Sequence, residues 1–307
     1  MHKRYYFECA AGISGDMIVG ALLDLGLDEA YLRAQLATLP LDGYHLEIFD
    51  VLKNGIRAKA FRVKLDQAPK PAMDLSPSDR KLDIGKPSEE GFASHPHEHH
   101  ADHHHDHHHD HHHDHHHDHT HGHHHDHTHD HTPDHVHRGL KEITACIQSS
   151  RMNPAAKDLA IKMFQLLAAA EAEVHGKSID EVHFHEVGAV DSIVDICAAA
   201  IGFVALGIED VILTQLNDGQ GYIRCAHGLM PVPVPAVLTL AQKHHFPLHR
   251  LPVEGELVTP TGACILAAMN PRYGLPETYT IEAVGIGAGE KVFDFPNVLR
   301  IMCIKTP

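Results

Sequence analysis

The sequence predicts a mixed α/β fold (α+β), an ordered body interrupted by a disordered, histidine-rich linker. Strand-like alternation and helix-like periodicity take turns along residues 1–66, and again along residues 138–307. Residues 67–137 between them are mostly Pro, Ser, Asp and His, with too little apolar surface to offset the entropy of ordering. No apolar run approaches the ~18 residues a membrane span requires.

Each element follows from local chemistry. RYYFEC is a short strand. The glycine-bearing turn AGISGD follows, then an apolar helix, MIVGALLDLG, ending on Gly26. Asp28 caps a second helix through Leu39, with Tyr31, Leu32, Leu36 and Leu39 at helical spacing. YHLEIFDVLKNGIRAKAFRVKL alternates apolar and polar residues on both sides of Asn54-Gly55, the pattern of a β-hairpin. In the linker an HHHD unit repeats from His103 to Asp118. A helix would drift by ~40° per such repeat and would have no apolar face to dock, so no folded repeat is expected.

The pattern resumes near Gly139 with the helical KEITACIQSS. Asn153-Pro154 starts the next helix with a cap and a proline at the first position, and it runs to about His175. Ser178 and Glu181 fit a short capping box. Then come a helix from Val190 to Leu206, a strand VILTQL, a Gly-rich turn, a strand YIRCAH and a proline-punctuated approach to a helix, HGLMPVPVPAVLTLAQ. A helix after Thr259 and two late strands, TYTIEAVGIG and NVLRIMCI, close the chain. Three units are expected: 1–66, the linker 67–137, and 138–307 packing with the first.

Composition narrows the function. Between His95 and His137 stand 26 of the 35 histidines and nine acidic residues, with no Lys or Arg. The net charge is −16 with histidine neutral, and no basic footprint remains to neutralise phosphates, so nucleic acid is not an expected partner. MHKRYYFECA lacks the features of a secretory signal, and a cytoplasmic location is expected. The six cysteines are scattered without a C-x-x-C, as small buried hydrophobes would be.

Two stretches outside the linker carry candidate chemistry, and a third is weighed beside them. In HFHEVGAVDSIVDI an extended His183-Phe184-His185 places both imidazoles on one face, Glu186 follows, and Asp191 and Asp195 share a helix face. Imidazoles with carboxylates suit Ni, Zn, Cu or Fe(II), although first-turn helix acids and exposed strand histidines would look the same. AGISGDM presents backbone N–H groups at a positive helix end, a cradle for an anion, with Asp16 the ambiguous member. It is neither a P-loop nor a dinucleotide fingerprint. In GELVTPTGAC, Thr259 and Pro260 read as a cap and first turn. The tract histidines His103, His104, His105, His107, His108, His109, His111, His112, His113, His115, His116 and His117 form a multi-site metal sponge, its aspartates keeping it soluble.

Taken together, YFECAAGISGDMIVGALLDLG, the His-rich linker, VHFHEVGAVDSIVDI, GYIRCAHGLMPVPVPAVLTL, GELVTPTGA and GIGAGEKVFDFPNVLR resemble the LarC family of nickel insertion proteins. The resemblance implies a nickel chelatase that places Ni(II) into a pyridinium bisthiocarboxylate mononucleotide, forming two Ni–S bonds and one Ni–C bond. With that chemistry, the residues read above are expected to hold phosphate at Gly12, Ser14 and Gly15, and nickel at His183, His185, Glu186, Asp191 and Asp195. His185 or Glu186 is then the base that removes the ring proton, and Asp16 balances the pyridinium charge. Members carry a further C-terminal domain that uses CTP and assembles oligomers. This chain ends just after PNVLRIMCI and resembles the N-terminal, metal-handling part. A homo-oligomer, a separate CTP-binding domain and an acceptor nickel-pincer enzyme are the expected partners. The rival expectation is a nickel or zinc storage protein in which the tract is the whole function; a third is an unrelated phosphate-ligand enzyme using zinc.

Overall fold

The structure is a computed structural model that describes residues 3–66, 138–182, 184, 188–225 and 227–306. Its centre is one mixed sheet. Strand β1 (Arg4–Cys9) lies in the middle, antiparallel to β10 (Val298–Lys305) and parallel to β4 (Val211–Gln220). With β2 (Tyr44–Lys53), β3 (Ile56–Leu65), β7 (Leu248–Glu254) and β9 (Thr280–Ala288), the full order is β2-β3-β9-β10-β1-β4-β7, and β8 (Arg272–Tyr273) lies beside β4. The hairpin β2 (Tyr44–Lys53) and β3 (Ile56–Leu65) forms one edge, turning at Asn54-Gly55 as the alternation predicts.

One face of the sheet is covered by helices. Helix α1 (Gly15–Asp24) is apolar on nearly every side and lies directly on the strands. A Cβ at Gly287 of β9 (Thr280–Ala288) would sit 1.8 Å from the Met17 carbonyl oxygen, so the GIGAG stretch is where the helix reaches the sheet. Helices α4 (Pro154–His175), α5 (Val190–Leu206), α6 (Pro235–His244) and α7 (Pro260–Ala268) complete the layer. Phe7, Ile18, Leu22, Phe164, Phe203 and Ile265 share one core beneath them. Two further helices are α2 (Glu29–Leu36) and α3 (Leu140–Ser149).

The capping chemistry read from the sequence is present. Asp28 accepts from the backbone N–H groups of Ala30 and Tyr31 at 2.7 and 3.1 Å, and Asn153 from that of Ala155 at 2.9 Å. Glu181 accepts from the Ser178 backbone N–H at 3.1 Å.

The structure corrects several expectations. β4 runs straight through Asn217-Asp218-Gly219, which the sequence suggests is a turn; the reversal is at Gly221, where φ is +81°. Within YIRCAH, Tyr222–Cys225 form β5, which pairs with β6 (Gly228–Pro231) as a separate ribbon, so GLMP is strand rather than an approach to a helix. β7 (Leu248–Glu254) was not anticipated, because LHRLPVE is half polar and carries a proline; it is an edge strand, where proline is tolerated. Among the described residues all six cysteines are unpaired, and no helix is long and apolar enough to cross a membrane.

Candidate functional site

The loop leaving β1 is tied to the loop entering α7. Ile13 donates its backbone N–H to the Leu257 carbonyl at 3.0 Å, and Thr259 donates to the Ile13 carbonyl at 3.1 Å. Gly12 stands at the crossing with φ +80°, and a Cβ there would fall 2.1 Å from the Leu257 oxygen. Beneath it, the buried Asp218 accepts from the backbone N–H groups of Leu257, Val258 and Gly219 at 2.8, 3.1 and 2.8 Å. Asn217 donates to the Ala10 carbonyl at 2.9 Å. Two stretches far apart in sequence are thus held as one rigid floor.

Above that floor lies a cleft of about 430 Å³. Three helix beginnings line it: Ser14 to Met17 of α1, Asp191 and Ser192 of α5, and Thr259 to Thr261 of α7. Each is the positive end of a helix dipole, offset in part where Asp16, Asp191 and Thr259 accept from the N–H groups of Met17, Ser192 and Gly262. Thr259 caps α7 by accepting from the Gly262 N–H at 3.1 Å, as its spacing before Pro260 predicts.

The cleft holds charge of both signs. Arg62 of β3, largely buried, donates from Nη1 to Asp16 Oδ2 at 2.8 Å and to the Phe61 and Ala288 carbonyls at 2.9 and 3.2 Å. Asp16 also accepts from Ser14 Oγ and, at 2.9 Å, from the Met17 N–H. Burial raises the Asp16 carboxyl above its ordinary value, opposed by Ser14 and Arg62. Asp195 of α5 packs so closely on Gly15 that a Cβ there would meet its Oδ2 at 2.6 Å. Burial, then the neighbouring carboxylates Asp16 and Asp191, hold Asp195 well above the usual carboxylate range. Lys64, Glu256, Glu290 and Lys291 complete the rim, with Lys64 Nζ 3.2 Å from Glu290 Oε1.

The raised Asp195 has a consequence for stability. Between about pH 4 and its raised value the folded chain keeps a proton that the unfolded chain has released, so stability falls as pH rises through that window. Asp195→Asn is expected to remove that slope. The metal-free variant should melt above the parent at pH 8 and close to it at pH 4; parallel melting curves across that range would contradict it.

Of the residues proposed from sequence, the cleft brings together Ser14, Gly15, Asp16, Asp191 and Asp195. Gly12 does not line it, and its N–H donates to the Cys9 carbonyl at 3.1 Å; its place is structural support. His183, His185, Glu186 and the tract histidines lie outside the described residues. Phe184, between the two histidines, is buried against Phe164 with ring centroids 6.2 Å apart. Among the described residues no group of three or more His, Cys, Asp or Glu side chains is placed to hold a metal ion. Sequence reasoning missed Arg62 and Lys64; their only signal was alternate placement on one face of the hairpin strand.

Fold and site define a mixed α/β protein with a carboxylate-lined cleft at three converging helix N-termini. The chain belongs to the nickel insertion protein family, whose model matches residues 5–307. It is 41% identical over 305 residues to the pyridinium-3,5-bisthiocarboxylic acid mononucleotide nickel insertion protein of Alkaliphilus metalliredigens, covering 99% of this chain and 61% of that protein. A protein of the same description from Desulfitobacterium hafniense (strain DSM 10664 / DCB-2) is 38% identical over 299 residues, 97% of this chain and 58% of its own length. A putative nickel insertion protein of Wolinella succinogenes is 38% identical over 307 residues, 99% and 61%. The chain thus spans about three fifths of the length of these relatives. No solved structure matches it.

Proposed function

We propose that this chain is the metal-handling part of a nickel chelatase that inserts Ni(II) into pyridinium-3,5-bisthiocarboxylic acid mononucleotide, yielding a nickel-pincer cofactor. The observation that supports this reading best is the cleft itself, where five separated stretches of sequence meet at three helix N-termini among carboxylates. A mononucleotide offers a phosphate and two thiocarboxylates, all anionic, and a pyridinium ring that is cationic. The phosphate is assigned to the N–H groups at Ser14 and Gly15, with Arg62 and Lys64 lending positive charge.

Nickel is the second substrate. Asp191 and Asp195, with His183, His185 and Glu186, are its proposed ligands, a borderline donor set from which the ion can be released. Forming the Ni–C bond displaces a ring proton, and His185 or Glu186 is the base assigned to take it. Asp16, already paired with Arg62, faces the pyridinium charge. The histidine tract in the linker 67–137 supplies nickel locally, in a cytoplasmic protein that assembles as an oligomer. A separate CTP-binding domain and the acceptor enzyme are its partners.

Calorimetric titration of the mononucleotide into the chain tests this directly. Binding should weaken about tenfold in Lys64→Ala, the loss of one phosphate-facing charge; no measurable binding by the parent would overturn the assignment. The storage reading is separated from it by removing residues 95–137. Insertion in excess nickel should persist in the deletion, whereas its complete loss would make the tract the function. In the intact chain most bound nickel should leave between about pH 7 and pH 5 as the imidazoles protonate. An unchanged stoichiometry over that range would exclude imidazole as the main ligand.

A further inference from the structure

A second, small pocket of about 70 Å³ opens beside the cleft and shares Glu256 and Pro260 with it. One wall is the last turn of α4, with Glu171 and His175; the other is the β5–β6 ribbon, with Cys225, His227 and Met230. Glu171 and His175 are four residues apart on one helix face, and Glu171 Oε2 is 3.4 Å from His175 Nε2. The His175 and His227 rings face each other with centroids 4.9 Å apart and planes 35° apart. On the ribbon, Cys225 lies on the same face as Ile223, which pairs with Met230 across the strands.

We propose that this pocket is a staging site for a borderline divalent cation, Ni(II) under the function proposed above, held by His175 and His227 and passed to the cleft past Glu256. The donors are the right kind: two imidazoles, a thiol and a thioether, which suit nickel rather than magnesium or calcium. A carboxylate beside a ring nitrogen orients an imidazole and strengthens it as a ligand, and Glu171 stands in that relation to His175. The C-terminal end of α4, closed by Gly176 at φ +60°, turns its negative pole toward the site. The volume suits an ion with one or two waters. Two imidazoles are fewer ligands than a closed structural site uses, and transfer requires such a hold.

The test uses the full-length chain with its 26 tract histidines (between His95 and His137) replaced by Asn, so that they do not mask a single equivalent. Nickel chloride alone is titrated by equilibrium dialysis. His175→Asn and His227→Asn should each weaken one equivalent of nickel at least tenfold, while His45→Asn, on the exposed hairpin, leaves the titration unchanged. His227→Asn lies on the ribbon, so it decides the matter should the helix variant melt early. Titrations in which neither histidine matters overturn the proposal. The inference rests on the proposed function for the identity of the ion, yet the readout needs no mononucleotide. Nickel loss in the variants from a chain that inserts no nickel keeps the site and removes the function. Unaltered titrations in a chain that does insert nickel do the reverse.

Discussion

Arg62→Ala is expected to abolish productive binding in the cleft and to cost the folded chain about 2–4 kcal/mol. The guanidinium is the cation nearest Asp16, at 2.8 Å, and it also satisfies two backbone carbonyls on neighbouring strands. Removing it leaves a carboxylate that burial already disfavours without its counter-charge, which is why breaking such a pair costs more than the pair contributes. The figure lies below the range for a fully buried pair because both side chains keep some solvent contact. Arg62→Lys should recover little, since an ammonium does not reproduce a planar guanidinium whose Nη1 reaches three acceptors while its Nε stands 3.8 Å from Glu290 Oε1. Asp16→Asn combined with Arg62→Ala should recover much of the stability but not ligand binding. Chemical denaturation of the parent, Arg62→Ala, Asp16→Asn and the double variant reads this cycle; additive losses would show that the pair is not coupled.

The second large effect is at Gly12. Gly12→Ala places a methyl where the Leu257 carbonyl already stands and forces a residue with a side chain to φ +80°. The strained backbone costs about 1–3 kcal/mol, and relieving the clash sacrifices the Ile13–Leu257 and Thr259–Ile13 hydrogen bonds at about 1 kcal/mol each. A total of about 3–5 kcal/mol is expected, with the starts of α1 and α7 drifting apart and mononucleotide affinity lost. Thermal melting together with ligand titration checks it. A variant as stable and as tight-binding as the parent would show that the two loops are not a single floor.

The fold was legible where chemistry is local. The caps at Asp28 and Asn153 and the Asn54-Gly55 hairpin turn are set by neighbours within a few residues, and each appears as expected. Strands β6 and β7 were not legible. GLMP gains its extended form only by pairing with YIRC, and LHRLPVE only by lying along β4, so neither segment carries its own periodicity. The site divides the same way. AGISGD and GAVDSIVDI announce helix starts, and both reach the cleft. Arg62 has no local mark; its importance arises from tertiary placement that sets it against Asp16, 46 residues earlier. The late GIGAG is equally silent until α1 is seen lying on it.

The chain's central role is tested most directly by following nickel into the mononucleotide itself. Purified chain, Ni(II) and pyridinium-3,5-bisthiocarboxylic acid mononucleotide are combined, with a CTP-binding domain and CTP supplied in trans, and the product is resolved by mass spectrometry. The account predicts a product that has gained nickel and lost the ring proton, formed by the parent and absent with Arg62→Ala. A folded, nickel-loaded parent that leaves the mononucleotide unmetallated, with or without the added domain, would contradict it.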